Sequence, residues 1–244
     1  RFELRLPEDG GALLALDGRI ARADALFGNA YLALHDAPVT FGLDAHRLAD
    51  GAWQAPRLVW RDGRTLQARG SARLDTGGGL EALALELDSQ ALSSLPERYL
   101  SGWLGLAGMG GLGLDGAAQA ALQLADGELQ GLELRLDGVD VADPRGRFRI
   151  DGLDGDLRHA ASGQLDSELR WRGGALYELG FGAIRLPLRT RSGTLRLREP
   201  AALALLGGRL RLENFELAPP AAGQGLQVGF GLELDGLDVG QLTR

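Results

Sequence analysis

The sequence predicts an all-β chain: a long antiparallel twisted sheet with one apolar and one polar face, plus a short helical insert. Three observations predict it. First, the phrase apolar–x–apolar–Asp–Gly occurs five times, at residues 14–18, 112–116, 134–138, 148–152 and 232–236. Apolar residues two apart share one face of a strand. Asp-Gly supplies the left-handed backbone of a hairpin turn. Each phrase is therefore expected to be a half-buried strand followed by a turn. Second, Leu226, Val228, Phe230, Leu232 and Leu234 alternate with Gln227, Gly229, Gly231 and Glu233. That strict period of two excludes a helix there. Third, breaks recur at Asp9-Gly10-Gly11, Asp62-Gly63, Gly77-Gly78-Gly79, Asp126-Gly127, Asp143-Pro144-Arg145-Gly146, Gly173-Gly174 and Pro219-Pro220. Turn signals at such intervals suit an all-β architecture.

The elements follow in chain order. Phe2-Glu3-Leu4-Arg5-Leu6 alternates from the start, and Leu83-Ala84-Leu85-Glu86-Leu87 is a clearer strand. Residues 89–104 lack alternation. Pro96 can open a helix with Glu97 in its first turn, and Leu95, Tyr99, Leu100, Trp103 and Leu104 then follow helical spacing. One or two short helices are expected there, packed by that face onto the sheet or across one end of it. Further strands are Leu132-Glu133-Leu134-Arg135-Leu136, Thr194-Leu195-Arg196-Leu197-Arg198 and Leu210-Arg211-Leu212. Their polar positions carry Arg and Glu, as a solvated face does. Residues 25–32 echo residues 204–211, a short match that fits a repetitive β architecture. No linker stands out, so residues 1–244 are read as one continuous segment.

Composition narrows the function. The net charge of −7 argues against a general binder of nucleic acid or anionic membrane. All 26 basic residues are arginine, which with abundant Leu, Ala and Gly suggests a GC-rich bacterial genome. The absence of cysteine excludes disulfides, thiolate metal sites and a cysteine nucleophile. The chain begins with Arg1 in a strand-like pattern with no signal peptide, and is read as a piece of a longer protein. No apolar run reaches the roughly 18–20 residues of a membrane helix.

Chemical motifs are weak. Gly108-Met109-Gly110-Gly111-Leu112-Gly113 matches the dinucleotide fingerprint, but Asp115-Gly116 and Asp126-Gly127 interrupt the helix that must follow it. Residues 110–118 fit one copy of a calcium-binding nonapeptide, whose sites need tandem copies. Asp151-Gly152-Leu153-Asp154-Gly155-Asp156 is acidic, yet Leu153 stands where an EF-hand loop needs a ligand, and turn chemistry is the better reading. His35, His46 and His159 show no zinc spacing, and no nucleophile elbow is present. Trp171 could stack on a sugar, though packing on the sheet is the simpler role. No catalytic residue, metal site or cofactor is assigned, and no enzymatic activity is expected.

The Asp-Gly strand phrases, with Leu95-Pro96-Glu97-Arg98-Tyr99-Leu100, Asp143-Pro144-Arg145-Gly146-Arg147-Phe148 and Leu206-Gly207-Gly208-Arg209-Leu210-Arg211-Leu212, resemble the AsmA-like proteins of Gram-negative envelopes. The resemblance covers most of the chain in texture, through motifs made of common residues. It implies a sheet curled lengthwise into an open groove, in the periplasm, on a parent chain anchored in the inner membrane. It also implies phospholipid as the ligand, its acyl chains inside the groove, and an outer-membrane or periplasmic protein as partner. The apolar positions Leu83, Leu85, Leu87, Leu132, Leu134, Leu136, Val228, Phe230, Leu232 and Leu234 would line it. Leucine suits this role, because a fluid contact needs no keyed complementarity, whereas a closed sheet should be dense in aromatic and β-branched residues. Aromatics make up only 6% of the chain. The alternative is a structural or adhesive envelope module whose leucines pack only against each other.

Overall fold

A computed structural model describes residues 1–7, 11–27, 30–218 and 227–238. Strands hold 68% of the residues and helices 7%, so the chain is all-β as expected. Every strand pair with an assigned register is antiparallel. The chain divides into two compact units, residues 1–111 with 117–131 and residues 112–116 with 132–244. Among the described residues no helix is long and apolar enough to cross a membrane.

The first unit is a meander with two insertions. Its strands are β1 (Phe2–Arg5), β2 (Ala12–Ile20), β3 (Ala23–Phe27), β4 (Ala30–Leu34), β5 (Val39–Arg47), β6 (Trp53–Asp62), β7 (Leu66–Leu74), β8 (Leu80–Ser89) and β9 (Gly113–Ala125). Pairing runs β1–β2–β5–β6–β7–β8–β9. The ribbon β3–β4 is inserted between β2 and β5. A helical segment is inserted between β8 and β9: a 3-10 turn (Leu92–Ser94), a π-turn (Pro96–Leu100) and α1 (Ser101–Leu106). Pro96 opens the π-turn with Glu97 in its first turn, as the sequence suggests.

The second unit is also a meander, of kinked strands: β10 (Glu128–Ala142), β11 (Phe148–Ala160), β12 (Gln164–Trp171), β13 (Gly173–Leu176), β14 (Leu179–Phe181), β15 (Ile184–Arg191), β16 (Thr194–Leu197), β17 (Ala201–Leu205), β18 (Gly208–Ala218) and β19 (Gln227–Asp235). β12 and β13 run on from one another and pair with β15 and β14 on the returning chain. β16 and β17 lie side by side with β18, and β18 pairs with β19. Residues 25–32 and 204–211, the two halves of the sequence echo, both fall on hairpins. Gly28 and Asn29 of that echo lie outside the described residues, as do Asp9-Gly10, Pro219-Pro220 and Leu226.

Four of the five Asp-Gly phrases are not turns. Asp17-Gly18, Asp115-Gly116, Asp137-Gly138 and Asp151-Gly152 lie inside β2, β9, β10 and β11; only Asp235-Gly236 ends its strand. Gly116, Gly138 and Gly152 have φ of 98°, 56° and 60°. A left-handed glycine inside a strand marks a bulge or sharp kink. At Gly116 the freed amide donates to the side chain of the preceding Asp115 at 2.8 Å, and at the other two kinks a carboxylate on the neighbouring strand takes it. Gly138 N–H donates to Asp154 at 2.8 Å, and Gly152 N–H donates to Asp140 at 2.6 Å. Asp137-Gly138-Val139-Asp140 and Asp151-Gly152-Leu153-Asp154 thus clasp each other reciprocally, each lending its last aspartate to the other's glycine. Of the acidic run at 151–156, Asp154 serves this clasp, while Asp151 and Asp156 pair with Arg149 and Arg158.

The break expected at Gly173-Gly174 falls at Arg172, between β12 and β13, and the two glycines themselves open β13 and pair with β11. Hairpin reversals do occur at Asp126-Gly127 and, outside the sequence expectation, at Tyr177-Glu178, Ser192-Gly193 and Leu206-Gly207, all with positive φ. The Asp143 turn stands as expected. Its buried carboxylate accepts the Arg145 and Arg147 amides at 3.1 Å and the Arg147 guanidinium at 2.6 and 2.9 Å.

Two outcomes follow. A Cβ at Gly116 would sit 2.7 Å from the Gly138 carbonyl oxygen, on a backbone already left-handed. Gly116→Ala should therefore destabilise the chain by at least the roughly 1–2 kcal/mol of a left-handed L-residue, read by denaturant unfolding. The Arg147 hydrogen bonds hold the Asp143 pKa down to about 2. A depressed carboxylate stabilises the fold above its unfolded value of about 3.9. That stability is lost as pH falls through about 2. Asp143→Asn should lower the melting temperature at neutral pH and flatten its decline across this acid window; an unchanged acid profile would contradict the assignment.

Candidate functional site

Alternation and register together build one apolar face in the first unit. Leu16, Leu43, Leu58, Gly70, Leu85 and Leu122 form a single cross-strand row, and Phe2 extends it onto β1. Beside it runs the row Gly18, Phe41, Trp60, Ala68, Leu87 and Ala120, and on its other side Ala72, Leu83 and Leu124. The sequence-expected Leu83, Leu85 and Leu87 therefore share one face. They are only half-buried, as are Leu16, Leu43, Leu58 and Leu122. Two glycines let bulky groups lie flat on the sheet. Cβ atoms at Gly70 and Gly18 would meet the Leu85 side chain at 2.8 Å and the Phe41 ring at 2.5 Å.

The helical segment closes one end of this face. Trp60 Nε1–H donates to the Tyr99 hydroxyl at 2.8 Å, which donates to Asp62 at 2.8 Å. Arg98 grips Asp62 through two hydrogen bonds, at 2.7 and 3.0 Å, and reaches the Ala37 carbonyl at 3.2 Å. Asp62 and Arg98 are both buried. Burial is the main cause of the upward shift of the Tyr99 hydroxyl pKa. Leu34, Val39 and Leu92 are buried, whereas the leucine rows are not. Leu95, Tyr99, Leu100 and Leu104 are half-buried as the helical spacing requires, but Trp103 is 54% exposed. The π-turn causes the difference: bonds from i to i+5 rotate the chain less per residue, so Arg98 faces inward and Trp103 slips off the packed side.

In the second unit, exposure rises along the apolar face. Ile184, Leu188 and Leu195 are buried. On β19, Val228, Phe230, Leu232 and Leu234 sit opposite Leu217, Phe215, Leu212 and Leu210 and are 52–62% exposed. Trp171 packs edge-on against Phe181 at 6.4 Å, a sheet contact. Leu132, Leu134 and Leu136 are half-buried on one side of β10, with Glu133 and Arg135 exposed on the other. The expected lining residues thus fall into three groups, each alternating as expected.

Sequence reasoning missed Phe41, Leu43, Leu58 and Trp60. The alternation Val39-Phe41-Leu43-Ala45 is legible in β5, which pairs with β2 without a shift, whereas an extra residue between Ala55 and Leu58 breaks the period of β6. The Asp62–Arg98 pair carried no local signal, since its members are far apart in sequence.

The opposite face of the first unit is laced by cross-strand ion pairs, Arg57 with Asp17 and Asp44, Arg69 with Glu86, and Arg73 with Glu81. Among the described residues no cluster of His, Asp and Glu could hold a metal ion. No family model matches the chain, and no curated protein or solved structure was found to be similar to it.

Arg98→Met should destabilise the chain by roughly 3–5 kcal/mol, because Asp62 would be left buried without a counter-charge. The double variant Arg98→Met, Asp62→Leu should recover much of that loss, and urea unfolding of both checks it.

Proposed function

We propose that this chain is a non-enzymatic segment of an envelope protein, one that shields phospholipid acyl chains on its leucine-rich sheet face during transport between membranes. The observation that carries the reading is the register-aligned row of the first unit, which crosses seven strands and carries leucine on five of them, each only half-buried. Six inter-strand spacings make this row roughly 29 Å long. One leaflet's acyl layer is about 15 Å deep, half of a bilayer core, so an extended chain fits along it. Each methylene moved from water onto the face is worth about 0.8 kcal/mol. Similar leucine sites side by side keep the affinity level along the path, which is what sliding needs. The helical stopper at Trp60, Asp62 and Arg98 would set one end of the lipid-bearing stretch. Following the resemblance to AsmA-like proteins, the setting is the periplasm, with an inner-membrane anchor elsewhere in the parent chain and a protein partner toward the outer membrane.

A photocrosslinking residue at Leu85, expressed in Gram-negative cells, should yield phospholipid adducts. The same residue at Glu86, which points to the ion-paired face, should yield few. Equal labelling at both positions, or none at either, would favour a structural module whose leucines serve only the sheet.

A further inference from the structure

On the polar face of the first unit, two arginines break the pattern of cross-strand pairing. Arg57, Arg69 and Arg73 each lie against a carboxylate. Arg19 on β2 and Arg61 on β6 have no carboxylate partner among the described residues, and both are exposed. They are not scattered. Thr40 on β5 is directly opposite Arg19 on one side and Arg61 on the other. Two strand spacings therefore separate their Cα atoms by roughly 10 Å, within the joint reach of two arginine side chains. All three residues line one open depression of about 470 Å³, with Asp17, Gly42, Arg57 and Val59 among its walls.

The depression is electropositive in spite of Asp17. That carboxylate is held by Arg57 at 3.1 Å, and Arg57 also reaches Asp44 at 3.3 Å. Gly42 keeps this pair flat, since a Cβ there would come within 2.8 Å of both the Arg57 guanidinium and the Asp17 carboxylate. The pairing leaves Arg19 and Arg61 as two uncommitted forks, with a hydroxyl between them.

We infer that Arg19, Arg61 and Thr40 form a binding site for a phosphate-type oxyanion, carried either as a free phosphate or on a lipid headgroup. Guanidinium forks bind such oxygens in bidentate pairs. A planar carboxylate is satisfied by one fork. Donors converging from two sides around a hydroxyl suit a tetrahedral anion, which presents oxygens in both directions. The site is on the face away from the leucine rows, so it stands whether or not those rows carry lipid.

The test uses the purified chain with two probes. Inorganic phosphate is titrated by heteronuclear NMR at low salt. Phosphatidylcholine vesicles, with and without phosphatidylglycerol, are used in co-sedimentation. Saturable shifts at Thr40 and its neighbours are expected in the first arm if the ligand is a free anion. Binding only to the phosphatidylglycerol vesicles would identify a headgroup. In either arm, Arg19→Gln and Arg61→Gln should each weaken binding by roughly tenfold, the usual cost of a lost charged hydrogen bond. Arg69→Gln, on the same face but already paired with Glu86, should leave it unchanged. The inference is overturned if neither probe binds, or if Arg69→Gln weakens binding as much as the other two.

Discussion

The constraint on which the rest of this structure depends is the register of antiparallel pairing. Side chains alternate with a period of two, so a slip of one residue would turn a whole strand's leucines to the polar side. In the first unit the register keeps the leucines of β2, β5, β6, β8 and β9 in line, while the ion-paired Asp17, Asp44, Arg57, Arg69 and Glu86 keep to the other face. The irregularities are placed so that this order survives. The shifts at Ala55/Leu58 and Asp44/His46 return the chain to the same face on either side. In the second unit, the reciprocal clasp between Gly138 and Asp154, and Gly152 and Asp140, ties two kinks to each other. A slipped pairing would break both bonds at once.

A sheet with one ordered apolar face normally buries that face against something. Here the fully buried apolar side chains among the described residues are few, and in the first unit Leu34, Val39 and Leu92 gather near the helical segment. The middle of the leucine rows stays half in water. That is an unfavourable arrangement for a chain that only needs to fold, and a useful one for a chain that must hold hydrocarbon and release it. The buried Asp62–Arg98 pair fits the same division: a directional ion pair fixes the helical segment in position, whereas the leucine rows carry no such anchor.

Much of the fold was legible in the sequence, because alternation is a local property. β8, β10, β16, β18 and β19 could be read from their leucines alone, and the helical insert from its loss of alternation and from Pro96. The Asp-Gly phrases misled for a physical reason. The same left-handed glycine serves a hairpin turn or a kink within a strand, and at Gly138 and Gly152 the kink is held by a distant carboxylate that accepts the amide. Asp140 and Asp154 act across strands, out of sight of any window of a few residues. Leu83, Leu85 and Leu87 were legible because β8 alternates without a break over that stretch. Trp60 was not, because the bulge between Ala55 and Leu58 breaks the period of its strand and Tyr99 on another element holds its ring. The Arg19–Thr40–Arg61 row is invisible in one dimension, since only the register brings it together.

The central claim is that the leucine face is a surface for hydrocarbon and not an unfilled core. Native mass spectrometry of the chain purified from Gram-negative cells, followed by solvent extraction, tests it most directly. The account predicts bound phospholipid that is lost when Leu43, Leu58 and Leu85 are replaced together by serine in a variant that remains folded. A lipid-free chain of the same mass before and after extraction, with a face that binds no hydrophobic dye, would contradict it.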